Sequence, residues 1–131
     1  MDDKDTLARQ RTDLAIQRTI FAAERTLMAW VRTAISMIGF GFSIHTFFRY
    51  LREAAGFAHT QPLRPRNLGL TLVAFGTLFL ILATLENWGL LRKFGIKPQR
   101  LLRSPAFLMA LLMVIMGIIV FVNMFFGGGP F

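Results

Sequence analysis

No cysteine occurs in the sequence, which excludes a disulfide framework and a thiolate metal site and leaves the redox compartment unmarked. Histidine occurs only at His45 and His59, each isolated, so no imidazole cluster can hold a metal. No two carboxylates are placed for acid and base roles, and neither a Gly-rich phosphate loop nor a nucleophile motif appears. The expectation is therefore a protein with no catalytic residues, no metal site and no cofactor. Acids are scarce: 7 Asp and Glu stand against 15 Lys and Arg, a net charge of +8. Such a balance points to anionic headgroups, topology control or an anionic substrate. Nucleic acid is not an expected partner, because no DNA- or RNA-recognition motif accompanies the charge. Breakers are missing too, since neither Gly nor Pro occurs between Thr6 and Ile38.

What is present is apolar. Hydrophobic residues make up 54% of the chain, with 14 Phe, far more than a soluble domain of this length needs to bury. Three long apolar runs cover residues 27–48, 68–91 and 106–126. Each is long enough, at about 1.5 Å per residue, to cross a hydrocarbon core of about 30 Å. Continuous runs of this length span as helices, whose backbones satisfy themselves. The expected fold is an all-α integral membrane protein, a single membrane domain over residues 1–131. A basic amphipathic cytoplasmic helix at 6–26, with Asp3 or Asp5 as its cap, runs on into the first span. The polar start "MDDKDTLARQ" and the late first span fit a retained anchor rather than a cleaved signal.

Basic residues orient the spans. Lys4, Arg9, Arg11, Arg18 and Arg25 precede the first, and Arg92, Lys93, Lys97, Arg100 and Arg103 follow the second. The other connection holds Arg49, Arg52, Arg64 and Arg66, and the tail "GGGPF" holds none. The positive-inside rule then predicts a cytoplasmic N-terminus and an outside C-terminus. Pro62 and Pro65 are expected to break one connection, Gly95 and Pro98 the other.

The most ordered feature is a repeat. Arg-Thr recurs at Arg11-Thr12, Arg18-Thr19, Arg25-Thr26 and Arg32-Thr33, every seven residues. Seven residues fall about 20° short of two helical turns, so the arginines form one slowly drifting stripe. Ala15, Ala22 and Ala29 accompany it, while Ile16, Ile20, Ala23, Leu27, Trp30 and Met37 take the opposite face. Two readings compete. In one, the helix lies on the inner leaflet with its arginines on anionic lipid and Trp30 at the interface. In the other, the stripe faces the inside of an oligomer, where alanines permit close approach and guanidinium groups line a path for an anion. Arg32 falls inside the first span and Glu86 lies at a similar count from the end of the second. The pair is expected to form a buried ion pair, with snorkelling of Arg32 as the alternative. Counting also levels His45 with Asn123, a candidate hydrogen bond. Gly39 with Ser43 matches the small-xxx-small packing pattern.

The run "RQRTDLAIQRTIFAAERTLMAWVRTAISMIGFGFSI" resembles the signature of the domain of unknown function 202 family, which includes small YidH-like inner-membrane proteins of bacteria. The resemblance covers residues 9–44 strongly and the two later spans by pattern. It implies a three-helix protein of the bacterial inner membrane. A related fold forms the membrane part of the eukaryotic vacuolar transporter chaperone complex, which makes polyphosphate and passes it across a membrane through a ring of such units. By that resemblance Arg18 and Arg25 match conduit-facing positions, Glu24 matches the neighbouring acid, and Arg32 extends the stripe. The sequence carries no polymerase or phosphate-sensing domain, so only the membrane module is implied.

Three functional classes follow. The first is a non-enzymatic homo-oligomer with a cytoplasmic vestibule lined by Arg11, Arg18, Arg25 and Arg32, passing or binding an anion such as phosphate or polyphosphate, with Glu24 and Glu86 as acidic partners. The second is a structural or assembly protein whose basic helix binds anionic membrane lipid or a partner protein. The third is a small proton-coupled transporter using Glu86.

Overall fold

The computed structural model describes residues 2–55 and 64–127, and among them every regular element is helical. Helix α1 spans Asp3–Ala55, α2 Arg64–Lys93, α3 Pro98–Leu102 and α4 Pro105–Phe126. With no Gly or Pro between Thr6 and Ile38 and no Pro anywhere along it, α1 runs unbroken from the polar N-terminal repeat into the apolar run, a rod of about 80 Å at 1.5 Å per residue. It starts earlier than expected, with the amides of Asp5 and Thr6 donating to the Asp2 carbonyl at 2.9 and 3.4 Å. Asp3 and Asp5 sit in its first turn, where carboxylates complement the helix dipole. It also extends past residue 48 to Ala55, a stretch that holds neither Gly nor Pro.

Pro65 does not break a loop. It lies in the first turn of α2, where its missing N–H has no intrahelical acceptor and costs nothing. Pro62 and His59 lie outside the described residues. Past α2, Gly95 takes a left-handed φ of 72° and Pro98 opens the short α3. Ser104 caps α4, its side chain accepting from the Phe107 amide at 3.3 Å, with Pro105 next in line. Gly127, at φ 59°, closes α4 by donating its N–H to the Asn123 carbonyl.

Helix α1 lies along α2, and α4 leans on both. The core is Leu27, Val31, Ala34 and Ile38 of α1, Val73, Leu80 and Ala83 of α2, and Ala106, Ala110 and Met124 of α4. Close approach rests on glycine. A Cβ on Gly41 would stand 2.7 Å from the Gly69 carbonyl oxygen, and one on Gly69 would stand 2.7 Å from the Gly41 oxygen. Gly117 of α4 meets the Thr77 side chain in the same way. The Thr77 and Thr84 hydroxyls are buried but donate to the carbonyls four residues back, at 2.8 and 2.7 Å, so neither is left unsatisfied. A second small cluster, Ala23 and Leu91 with Ile20 and Ile96, ties α1 to the end of α2.

The packing glycine in "GFGFS" is therefore Gly41. Gly39 and Ser43, the expected small-xxx-small pair, point away from α2 and α4, and a Cβ on Gly39 would meet nothing within 4 Å.

Three helices, α1, α2 and α4, are long and apolar enough to cross a membrane, and α3 is a short connector on the side where the N-terminal repeat projects.

Candidate functional site

The buried positions of α1, Ala23, Leu27, Val31, Ala34, Ile38 and Gly41, mark one face of the helix. At 100° per residue, Ala29, Arg25, Arg32, Ser36, Gly39 and Ser43 lie roughly 150° round from its centre. All six are exposed, so the helix carries its own packing on one side and a row of small and polar residues on the other. Arg11 and Arg18 continue the row towards the N-terminus and are exposed as well. The four stripe arginines thus share one face, opposite the contacts that fold the chain.

The repeat is more detailed than an arginine period. In each heptad the threonine hydroxyl donates to the carbonyl of an alanine four residues back: Thr12 to Ala8, Thr19 to Ala15 and Thr26 to Ala22, each at 3.0 Å, and Thr33 to Ala29 at 3.1 Å. Ser36 donates to the Arg32 carbonyl at 3.1 Å and Ser43 to Gly39 at 2.8 Å. These back-bonds satisfy the hydroxyl donors without a neighbouring helix, which makes the polar row tolerable at membrane depth. Extended past the arginines, the alanine row reads Ala8, Ala15, Ala22, Ala29, Ser36, Ser43, a small residue every seven positions from residue 8 to residue 43.

The expected Arg32–Glu86 ion pair does not form within the chain. Both side chains are exposed and neither is in an ion pair among the described residues, whereas Arg49 and Glu53 form an i,i+4 contact of 3.6 Å. Register is the reason. The antiparallel approach of Gly41 to Gly69 brings position 86 level with residue 24, about 12 Å along the helix from Arg32. Counting from the ends of apolar runs assumed that both helices leave the hydrocarbon at the same residue depth. Glycine packing sets the register instead.

Glu24 is half-buried and lines a cleft of about 510 Å³ with Gln17, Ile20 and Phe21 of α1, Leu91 and Ile96, and Arg100, Arg103 and Ser104. A neighbouring hollow shares Arg100 and Arg103 and adds Lys97 and Gln99. Nothing in the sequence announced this cleft, since it joins two segments some 70 positions or more apart in the chain. At the opposite end, His45 and Asn123 line one cavity of about 160 Å³ with Thr46 and Arg49, so the levelling of these two by count agrees with where they lie. No group of three or more His, Asp or Glu positioned to hold a metal ion occurs among the described residues.

Neither the curated proteins nor the solved structures include a match to the chain. A family model does match: "Domain of unknown function (DUF202)", over residues 18–93, which takes in the last three Arg-Thr repeats, the rest of α1 and all of α2. With three membrane-length helices and this match over more than half of its residues, the chain is a multi-pass membrane protein and belongs to the DUF202 family.

Proposed function

We propose that the chain is a non-enzymatic membrane module that assembles with copies of itself through the outward face of α1, so that Arg11, Arg18, Arg25 and Arg32 line a path or vestibule for an anion. The observation that carries this reading is the row from Ala29 to Ser43. Within an apolar span, a row of small and polar residues runs along the side of α1 opposite the chain's own packing, among exposed apolar residues such as Ile35 and Phe40. Lipid tails offer nothing to Arg32, Ser36 or Ser43, whereas a second helix gains close approach from Ala29 and Gly39, and a shared axis gains stacked guanidinium groups. Fixed cations at a low-dielectric mouth concentrate anions, and phosphate or polyphosphate is the cargo that the family resemblance implies. Glu86, level with Glu24 by the register of Gly41 on Gly69, lies exposed at the inner end, where it supplies an acidic counter-charge near the path.

Orientation belongs to the same reading: a bacterial inner membrane, N-terminus in the cytoplasm and C-terminus outside, by the excess of Lys and Arg before α1's apolar run and after α2. An alkaline phosphatase fused after Phe131 is then active, and the same enzyme fused at residue 96 is not.

A second reading has its own observation. Leu7, Leu14 and Phe21, at 53%, 55% and 60% exposure, form an apolar row beside the arginines that runs from the rim of the bundle at Phe21 along the part of α1 that projects beyond it. An amphipathic segment of that kind also binds anionic lipid or a partner protein. Proteoliposomes separate the two. Arg25→Glu with Arg32→Glu abolishes phosphate or polyphosphate flux or binding under the first reading and leaves fold and insertion intact. Under the second, the unaltered protein shows no flux, and Leu14→Ser with Phe21→Ser releases the projecting segment from anionic vesicles.

A further inference from the structure

The cleft at Glu24 is separate from the arginine stripe and has the makings of a lipid site. We propose that it holds the headgroup of a phospholipid bearing a primary ammonium, with the phosphate on Arg100 and Arg103 and the ammonium on Glu24. Three observations carry this. The lining brings two guanidinium groups and one carboxylate into one hollow, yet among the described residues none of Glu24, Arg100 and Arg103 is within 4.0 Å of an opposite charge. Glu24 is half-buried in the wall of the cleft and has no cationic side chain of the described residues within ion-pair distance, so a bound cation is the partner its carboxylate can take. A zwitterion with an anionic and a cationic end meets both needs, and a lone anion meets one.

The remaining wall is apolar: Ile20, Phe21, Leu91 and Ile96. A glycerol backbone and the first carbons of acyl chains fit such a surface, and a free phosphate has no use for it.

Depth agrees. Leu91 is the last buried residue of α2 before Arg92 and Lys93, and Trp88, one turn earlier, packs edge-on against Phe107 at 5.6 Å. Tryptophan favours the level where hydrocarbon gives way to headgroups, so the cleft opens at that boundary. Its volume of about 510 Å³ lies in the range of small-molecule sites, roughly 300–1,000 Å³.

Native mass spectrometry of the detergent-purified chain, with phosphatidylethanolamine, phosphatidylglycerol and phosphatidylcholine offered in equal amounts, tests the proposal. One phosphatidylethanolamine per chain is expected, preferred about tenfold over the other two, the worth of one charge-assisted hydrogen bond. Arg100→Gln with Arg103→Gln lowers its occupancy about tenfold or more. Glu24→Gln keeps phospholipid bound but brings phosphatidylethanolamine and phosphatidylglycerol to equal occupancy. Arg92→Gln with Lys93→Gln, which removes as much charge outside the cleft, changes neither, and circular dichroism reports that each variant keeps its helices. Equal binding of the three lipids by the unaltered protein overturns the assignment. So does undiminished binding by the Arg100 and Arg103 variant, or displacement of the lipid by inorganic phosphate.

Discussion

The two faces of α1 keep the same period and opposite chemistry. Inward, the row Leu27, Ala34, Gly41 shrinks along the helix until α1 and α2 touch backbone to backbone at Gly41 and Gly69. Outward, the row Arg25, Arg32, Gly39 loses its charge over the same stretch, beside Ala22, Ala29, Ser36 and Ser43. The inward row explains how one chain folds. A period of seven on the other face has no partner within the chain, and heptads persist where helices keep facing the same neighbour. The difference teaches that the folding of this chain leaves α1 half used.

Substitutions that break one face and spare the other sharpen the contrast. The largest effect is expected at Gly41→Val, whose side chain must displace the Gly69 backbone; overpacking of this kind costs about 1–3 kcal/mol or more, read as a lowered melting temperature in detergent. Gly39→Val, two residues away, meets open space and leaves the melting temperature of the separated chain within about 0.5 kcal/mol of the original, while shifting the distribution of oligomers. A middling effect belongs to the stripe: Arg25→Glu with Arg32→Glu lowers anion binding or flux at least tenfold by charge reversal at the path, with the helical signal unchanged. Smaller still is the coupling between Arg32 and Glu86. Because they lie about 12 Å apart along the helix axis, a double-mutant cycle with Arg32→Gln and Glu86→Gln is additive to within about 0.5 kcal/mol in the separated chain. The smallest change is at Arg49→Gln, which opens an exposed i,i+4 pair worth about 0.5 kcal/mol or less in thermal unfolding.

Much of the fold was legible because the signals were local. Three apolar runs and the missing breakers between Thr6 and Ile38 give three membrane-length helices and the continuity of α1. Helix ends were less so: a proline reads as a stop until its place in a first turn is known, as Pro65 shows. Register was illegible, since depth counted from the ends of apolar runs carries no information about where two glycines meet. The same gap hid which glycine of "GFGFS" packs. The stripe could be read from the repeat alone, but that it faces away from α2 and α4 required their positions. The Glu24 cleft could not be read at all, because it exists only once residues 17–24 lie beside residues 91–104.

The central claim is that copies of the chain meet on the outward face of α1, and the absence of cysteine makes it directly measurable. Single cysteines introduced as Ser36→Cys on that face, Leu112→Cys on the exposed side of α4 and Val73→Cys in the core can be oxidised, or joined with a short bis-maleimide, in native membranes. Cross-linked dimers from Ser36→Cys, with Leu112→Cys and Val73→Cys remaining monomeric, are the predicted result. A monomeric Ser36→Cys beside a cross-linked Leu112→Cys would put the contact on α4 and contradict the account.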